Sequence, residues 1–292
     1  AEYAETLTLD PTDVVILTFP KTGTTWLQNI CEQLKTRAAG FDHFSEITEV
    51  QPWLERMLQV GQTLDDSPGP FRCYKSHQIP SSIQLGGKYL TICRNPADVA
   101  LSVYAFLSPK RLDIRNMKDA NGFIEQTGGL EVLMVEIWEY YIELWEIRNE
   151  PNVLLLNYEY LKKDSPELSN NLPVIANFIG VTCSSKEEEK ELYAKVADLS
   201  TIQTMKKNES KFDDNFLSRR ERERGLLDDM TEVIVTKVGT HGKSKPKLNE
   251  KSIATLEKLW KEKVTPVTGH ETYEQYANDV VSLLKQKLEK FS

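Results

Sequence analysis

The stretch that most constrains the fold is VVILTFPKTGTTWLQNI, residues 14–30. Val14-Val15-Ile16-Leu17 is a short apolar run rich in β-branched residues, the pattern of a strand buried on both faces. Pro20 stops it. Lys21-Thr22-Gly23-Thr24-Thr25 then places a glycine where the backbone must turn sharply, and residues 26–34 carry apolar side chains at helical spacing. A strand, a turn and a helix in that order leave free backbone N–H groups at a helix N-terminus, where those donors and the helix dipole favour an anion. Lys21 and the hydroxyls of Thr22, Thr24 and Thr25 add a charge and further donors, so the stretch predicts a phosphate cradle.

The cradle is P-loop-like without being a Walker A loop. GxxxxGK[ST] needs a glycine five residues before the second one and a lysine after it, whereas here Thr18 holds the upstream position and Lys21 precedes Gly23. An ordinary capped strand-to-helix turn has the same outline, so the reading depends on the rest of the chain.

Phe71 to His77 alternates like a short strand and ends near Pro80, while Lys88 to Cys93 (KYLTIC) and Val153 to Leu156 are further apolar strands. Arg94-Asn95-Pro96-Ala97-Asp98 opens a helix through Phe106, with Pro96 and Asp98 suited to its first turn. Helical patterns also run over Glu131–Arg148, Asn171–Gly180 and Glu187–Val196, and Gly40–Pro70 reads as loop and short helix. Buried strands alternating with helices predict an α/β fold, a three-layer sandwich around a central parallel sheet. No Pro/Gly/Ser-rich linker divides the 292 residues, so one domain over 1–292 is expected.

A formal net charge of −8 opposes general binding to nucleic acid or a membrane surface, so an anionic ligand needs a locally basic pocket. No stretch approaches the roughly 18 apolar residues of a membrane span, and Ala1 to Asp10 lacks a basic segment followed by an apolar core, which together predict a cytoplasmic protein. Cys31, Cys73, Cys93 and Cys183 are scattered without a CxxC pair and predict reduced, buried thiols with no metal.

In open α/β sheets ligands bind at the carboxyl ends of the strands. The residues just past the predicted strands are Lys21 to Thr25, Lys75, His77, Arg94 with Ser102 on the next helix, and Tyr158. Three cations, a histidine, hydroxyls and aromatics along one edge suit a nucleotide with several anionic groups.

These stretches together resemble the cytosolic-type sulfotransferases, which move a sulfuryl group from 3′-phosphoadenylyl sulfate (PAPS) to an acceptor hydroxyl or amine. PKTGTTW at Pro20–Trp26 resembles the family's 5′-phosphosulfate loop, and YKSHQIP at Tyr74–Pro80 its lysine–x–histidine strand end. RNPADVALSVYAF at Arg94–Phe106 resembles the 3′-phosphate motif, and NYEYLKKD at Asn157–Asp164 and TMKKNES at Thr204–Ser210 match in order and spacing.

The resemblance implies PAPS as donor and adenosine 3′,5′-bisphosphate (PAP) as product. His77 is placed as general base, since an imidazole titrates close to working pH. Lys21 is expected to stabilise the bridging oxygen as the bond breaks, and Lys75 the transferring sulfuryl group. Fixed lysines can suffice here without a metal, because a sulfate ester leaves fewer charges to neutralise than a triphosphate. Arg94 offers a bidentate fork to the 3′-phosphate, with Ser102 two helical turns on. Trp26, Tyr158, Ser200 and Ile202 are implied around the adenine, where a π-face supplies about 1–3 kcal/mol of stacking. For the acceptor, Phe106 matches a pocket aromatic, Trp138 stands where relatives often carry tyrosine, and Phe44 and Trp53 fit by position.

The chain departs from the family in three places. Its segment before the first strand is short, so part of the usual acceptor wall is not expected from the resemblance. The family's RKGxxGDWK appears as KVGTHGKSK, with Lys237 at the arginine, Val238 at the lysine, Gly239 kept and the tryptophan lost. Valine donates no charge, so one or two charge-assisted hydrogen bonds to the 3′-phosphate, about 1.5–3 kcal/mol each, are expected to be missing unless Lys243 or Lys245 compensates. The usual dimer-forming segment is not recognisable, which leaves a homodimer and a monomer both open. The arginine-rich run Ser218–Gly225 has two readings, a loop covering donor and acceptor or a solvated helix face with arginine–glutamate pairs. The alternatives to a sulfotransferase with a small-molecule acceptor are a P-loop-like nucleotide or metabolite kinase and an inactive nucleotide-binding protein of the same fold.

Overall fold

The computed structural model describes residues 8–82, 86–109, 111–128, 137–162, 165–228 and 247–289. Four parallel strands, β1 (Val14–Leu17), β2 (Cys73–Ser76), β3 (Lys88–Cys93) and β4 (Val153–Asn157), form one sheet in the order β2-β1-β3-β4. β1 lies between β2 and β3, with Val14 opposite both Cys73 and Lys88. All four β1 side chains are buried, because a parallel strand is covered on both faces.

The two faces follow the period-2 alternation of a strand. Val14 and Ile16 point into the larger core, which takes in the helices Thr24–Lys35, Pro96–Leu107, Ile137–Ile147 and Ser165–Ile179. Val15 and Leu17 point the other way, against Leu9, Leu54, Met57, Tyr74 and Tyr89. Two late helices complete the body. Tyr273–Glu289 packs on β4, where Lys287 Nζ donates to the Val153 carbonyl at 3.1 Å, and Glu250–Lys263 brings Trp260 against Trp138 and Tyr141.

The expected strands are present, β3 over the predicted residues. The helix expected from Glu131 is described from Ile137 to Ile147, its first residues lying outside the described set. The helix expected from Asn171 begins at Ser165 and carries Pro173 within it. Lys186–Leu199 starts one residue before its predicted bound because Ser185 caps it, accepting from Glu188 N at 3.1 Å. Between the first helix and β2 only Ile47–Val50 and a turn at Leu64–Asp66 are helical.

The arginine-rich run is the helix Asn215–Glu223. Arg220 pairs with Glu223 at 2.9 Å, Arg56 pairs with Glu221, and Phe216, Leu217 and Glu221 are buried beneath. It therefore takes the form of a helix with arginine–glutamate pairs. Among the described residues no helix is long and apolar enough to cross a membrane.

Candidate active site

β1 ends in a brace. Thr18 Oγ1 and Thr24 Oγ1 share a 2.6 Å hydrogen bond that ties the strand end to the first turn of the helix Thr24–Lys35. Thr22 Oγ1 donates to the Phe19 carbonyl at 2.6 Å. These two hydroxyls, expected to face the phosphate, thus hold the turn itself. The helix has Gly23 as its N-cap and, among the described residues, no side-chain cap, so its first N–H groups are open to a ligand. Gly23 sits at φ 124°, and a Cβ there would come within 3.0 Å of the Tyr158 ring, so only glycine lets the turn and that ring approach so closely.

Lys21 is also left-handed, at φ 69°, and its carbonyl accepts from Arg94 Nη1 at 2.7 Å. Arg94 follows β3, and its guanidinium lies 4.4 Å over the Tyr158 ring. Its own carbonyl accepts from the Tyr141 hydroxyl. Arg94 Nε is buried and makes no hydrogen bond among the described residues. A buried donor without a partner is what an entering phosphate would satisfy. Ser102 is buried on the helix Pro96–Leu107, which Asn95 caps by accepting from Ala97 N at 2.9 Å.

β2 delivers the other two groups. Lys75 Nζ lies 4.3 Å over the Trp53 ring and 3.1 Å from Asp214 Oδ1. The His77 ring stands edge-on to Trp53, with centroids 5.1 Å apart, and its Nδ1 is 2.7 Å from the Thr18 carbonyl. A carbonyl oxygen only accepts, so Nδ1 carries the proton and Nε2 the lone pair. Glu55 Oε1 holds the backbone here, accepting from His77 N at 2.8 Å and Ser76 Oγ at 2.6 Å. Burial, then the Lys75 ammonium, push the His77 imidazole down to about 3, so it is neutral over the whole working range.

Lys21 Nζ lies 4.3 Å over the Phe106 ring. Burial lowers its ammonium to about 8, an effect opposed by Asp214 and reinforced by Lys75 and Arg94. Burial and then the Asp214 charge push the Glu46 carboxyl up to about 8. The folded protein therefore holds a proton on Glu46 that the unfolded chain releases at ordinary carboxylate pH, and stability falls as pH rises from about 4.5 to 8. Glu46→Gln, which preserves the shape, is expected to remove that fall, by up to about 1.4 kcal/mol per pH unit in this window. Melting curves of parent and variant from pH 5 to 9 should diverge in favour of the variant; parallel curves would exclude a titrating Glu46.

The residues expected around the adenine also meet. Trp26 Nε1 donates to the Ser200 carbonyl at 2.9 Å, and the Trp26 and Tyr158 rings meet edge-on at 5.7 Å. Ile202 lies nearby in the chain and is exposed.

The family model of the sulfotransferase domain matches residues 11–268. The chain belongs to the sulfotransferase family. It is 34% identical over 204 residues to sulfotransferase 2A1 of Homo sapiens, covering 67% of each chain. It is 27% identical over 248 residues to cytosolic sulfotransferase 14 of Arabidopsis thaliana, covering 75% of this chain and 70% of that one. Among solved structures, mouse sulfotransferase SULT7A1 complexed with PAP superimposes with a TM-score of 0.63 at 18% identity, covering 96% of this chain and 92% of that one. Retinol dehydratase with androsterone and PAP gives 0.58 at 20% identity, covering 89% and 83%. At these identities the structural likeness is one of fold.

Within this sulfotransferase the aromatics expected around the acceptor separate into two groups. Phe106 and Trp53 touch Lys21 and Lys75. Trp138 is 1% exposed in the core against Tyr141 and Trp260, and Phe44 is buried with Phe41, Ile47 and Phe212. Lys237, Val238 and Gly239, expected at the 3′-phosphate, lie outside the described residues. Sequence reasoning missed Asp214, Glu46, Glu55 and Thr18. Only their positions after folding bring them to the lysines and histidine, and the Asp213-Asp214 pair next to the TMKKNES stretch was the one local signal.

Proposed function

We propose that this sulfotransferase passes a sulfuryl group from PAPS to a hydroxyl or amine of a small-molecule acceptor, with His77 as general base. The donor supplies an activated sulfuryl group whose bond to the 5′-phosphate breaks with its electron pair on the phosphate oxygen. A bond from sulfur to the acceptor forms, and the acceptor proton goes to His77 Nε2. One observation carries this reading: Lys21, Lys75 and a neutral His77 with its lone pair on Nε2 come together at the ends of β1 and β2, beside an uncapped helix N-terminus.

The residues divide the work by their chemistry. Lys21 faces the leaving oxygen, where its charge counts most as the bond breaks, and Lys75 faces the sulfuryl oxygens. Arg94, whose Nε has no partner among the described residues, together with Ser102 holds the 3′-phosphate. Trp26 and Tyr158, which touch edge-on, together form one wall for the adenine. Trp53 and Phe106, each under a lysine, present apolar faces to an acceptor. Retinol dehydratase, which shares this fold, is solved in complex with androsterone and with retinol, both small apolar alcohols.

The test is a thermal shift. PAP is expected to raise Tm by several degrees, since a ligand at 100 times its Kd adds about 2.7 kcal/mol, whereas ATP with Mg²⁺ should not. The reverse pattern would favour the kinase reading. A screen with labelled donor over phenols, sterols, amines and alcohols then identifies the acceptor class.

A further inference from the structure

Asp214 precedes the helix Asn215–Glu223 in a left-handed conformation, φ 60°. Its Oδ1 lies 3.1 Å from Lys75 Nζ and accepts from Thr48 Oγ1 at 3.3 Å. The Lys75 side chain is only 5% exposed and that of Asp214 20%, so this pair is largely withdrawn from water. A carboxylate at that place works against a pocket that must receive an anion. The titratable groups that feel its charge are Lys75 and His77 at the end of β2, Lys21 past β1, Glu46 at the start of Ile47–Val50, and its neighbour Asp213, whose carboxyl is raised by burial and, to a lesser degree, by Asp214. Arg94, past β3, also acts on Lys21 through its charge.

We propose that Asp214 is the internal counter-ion of Lys75, a positioning residue that holds the ammonium in the empty enzyme and surrenders it to the donor's sulfonate. This rests on the donor reading above. A buried ammonium without a partner carries a large desolvation penalty, which the carboxylate meets before the donor arrives. With the donor bound, two anions contend for one ammonium, and their repulsion weakens ground-state binding. Once the sulfuryl group has left, the carboxylate returns to Lys75. The contact therefore disfavours the loaded donor more than the desulfated product. Glu46 fits the same account: burial and the Asp214 charge favour its protonated form near pH 7, so it adds no second negative charge there.

The experiment uses the full chain as parent, Asp214→Asn, Asp214→Gly and Asp214→Glu, with PAP and PAPS binding followed by calorimetry without acceptor. Asn and Gly both tolerate a left-handed backbone, so the charge is removed by two routes that spare the turn. Binding is measured at pH 6.5, where Lys21 keeps its proton. Both neutral variants are expected to bind PAPS about 3–30-fold more tightly, to gain less for PAP, and to melt lower when empty. Asp214→Glu should return all three readouts toward the parent. Unchanged or weaker PAPS binding in the neutral variants, or a glutamate variant that behaves like asparagine, would overturn the proposal. Failure of the parent itself to bind PAP would instead strike at the donor reading, while the lowered melting point of the empty variants would still report on the Lys75 pair.

Discussion

His77→Ala is expected to lower kcat by about 10²–10⁴-fold while leaving PAP affinity nearly unchanged, because a general base contributes in that range and touches the acceptor rather than the nucleotide. The prediction follows from how the ring is held. Its Nδ1–H is tied to the Thr18 carbonyl at 2.7 Å, so Nε2 has the lone pair whatever the pH above the lowered pKa of about 3. The backbone of His77 is fixed by Glu55 through a 2.8 Å bond, which holds the ring against Trp53. A base that weak in the empty enzyme must gain proton affinity in the complex. Lys75 causes part of its depression, and under the proposed role of Lys75 a bound sulfonate would neutralise that charge. The acid limb of kcat should consequently lie well above pH 3 even though the free enzyme keeps a neutral ring below pH 5. Turnover near the parent's in His77→Ala would exclude the role, and parallel loss of PAP affinity would assign the ring to the nucleotide instead.

The second large effect belongs to Lys21. Lys21→Ala should reduce kcat/KM for the donor by about 10²–10³-fold, the loss found when one preorganised charge at a developing anion is removed. Its ammonium titrates at about 8 in the free enzyme, and kcat/KM reports free-enzyme groups, so the parent should lose donor efficiency as pH rises through 8. The sign is that of a cation whose charged form binds the ligand. Lys21→Arg stays charged throughout and should carry the alkaline limb upward, even if its larger head lowers the plateau. A limb near pH 8 that persists in Lys21→Arg would mean another group titrates there.

The sheet strands, the cradle and the Lys75-x-His77 strand end were legible in the sequence because each depends on neighbours within a turn or two. β-branched runs bounded by Pro20 or Arg94 report burial on both faces, and Gly23 before Thr24 reports a backbone that must turn. Aromatics were less informative, since Trp138 and Phe44 pack in the core whereas Trp53 and Phe106 pack against the lysines, although all four stood as acceptor candidates. Periodicity tells that a side chain is covered but not by what.

What only the tertiary structure decided is charge and proton placement. Asp214 meets Lys75 across 139 residues, and His77 receives its tautomer from Thr18 across 59. Arg94 joins the Lys21 carbonyl because the order β2-β1-β3-β4 sets the ends of β1 and β3 side by side. Coulomb interaction and desolvation depend on distance and burial in space, and neither is written in spacing along the chain. The residue types of the site are therefore properties of the sequence; which of them hold a proton, a charge or a partner is a property of the fold.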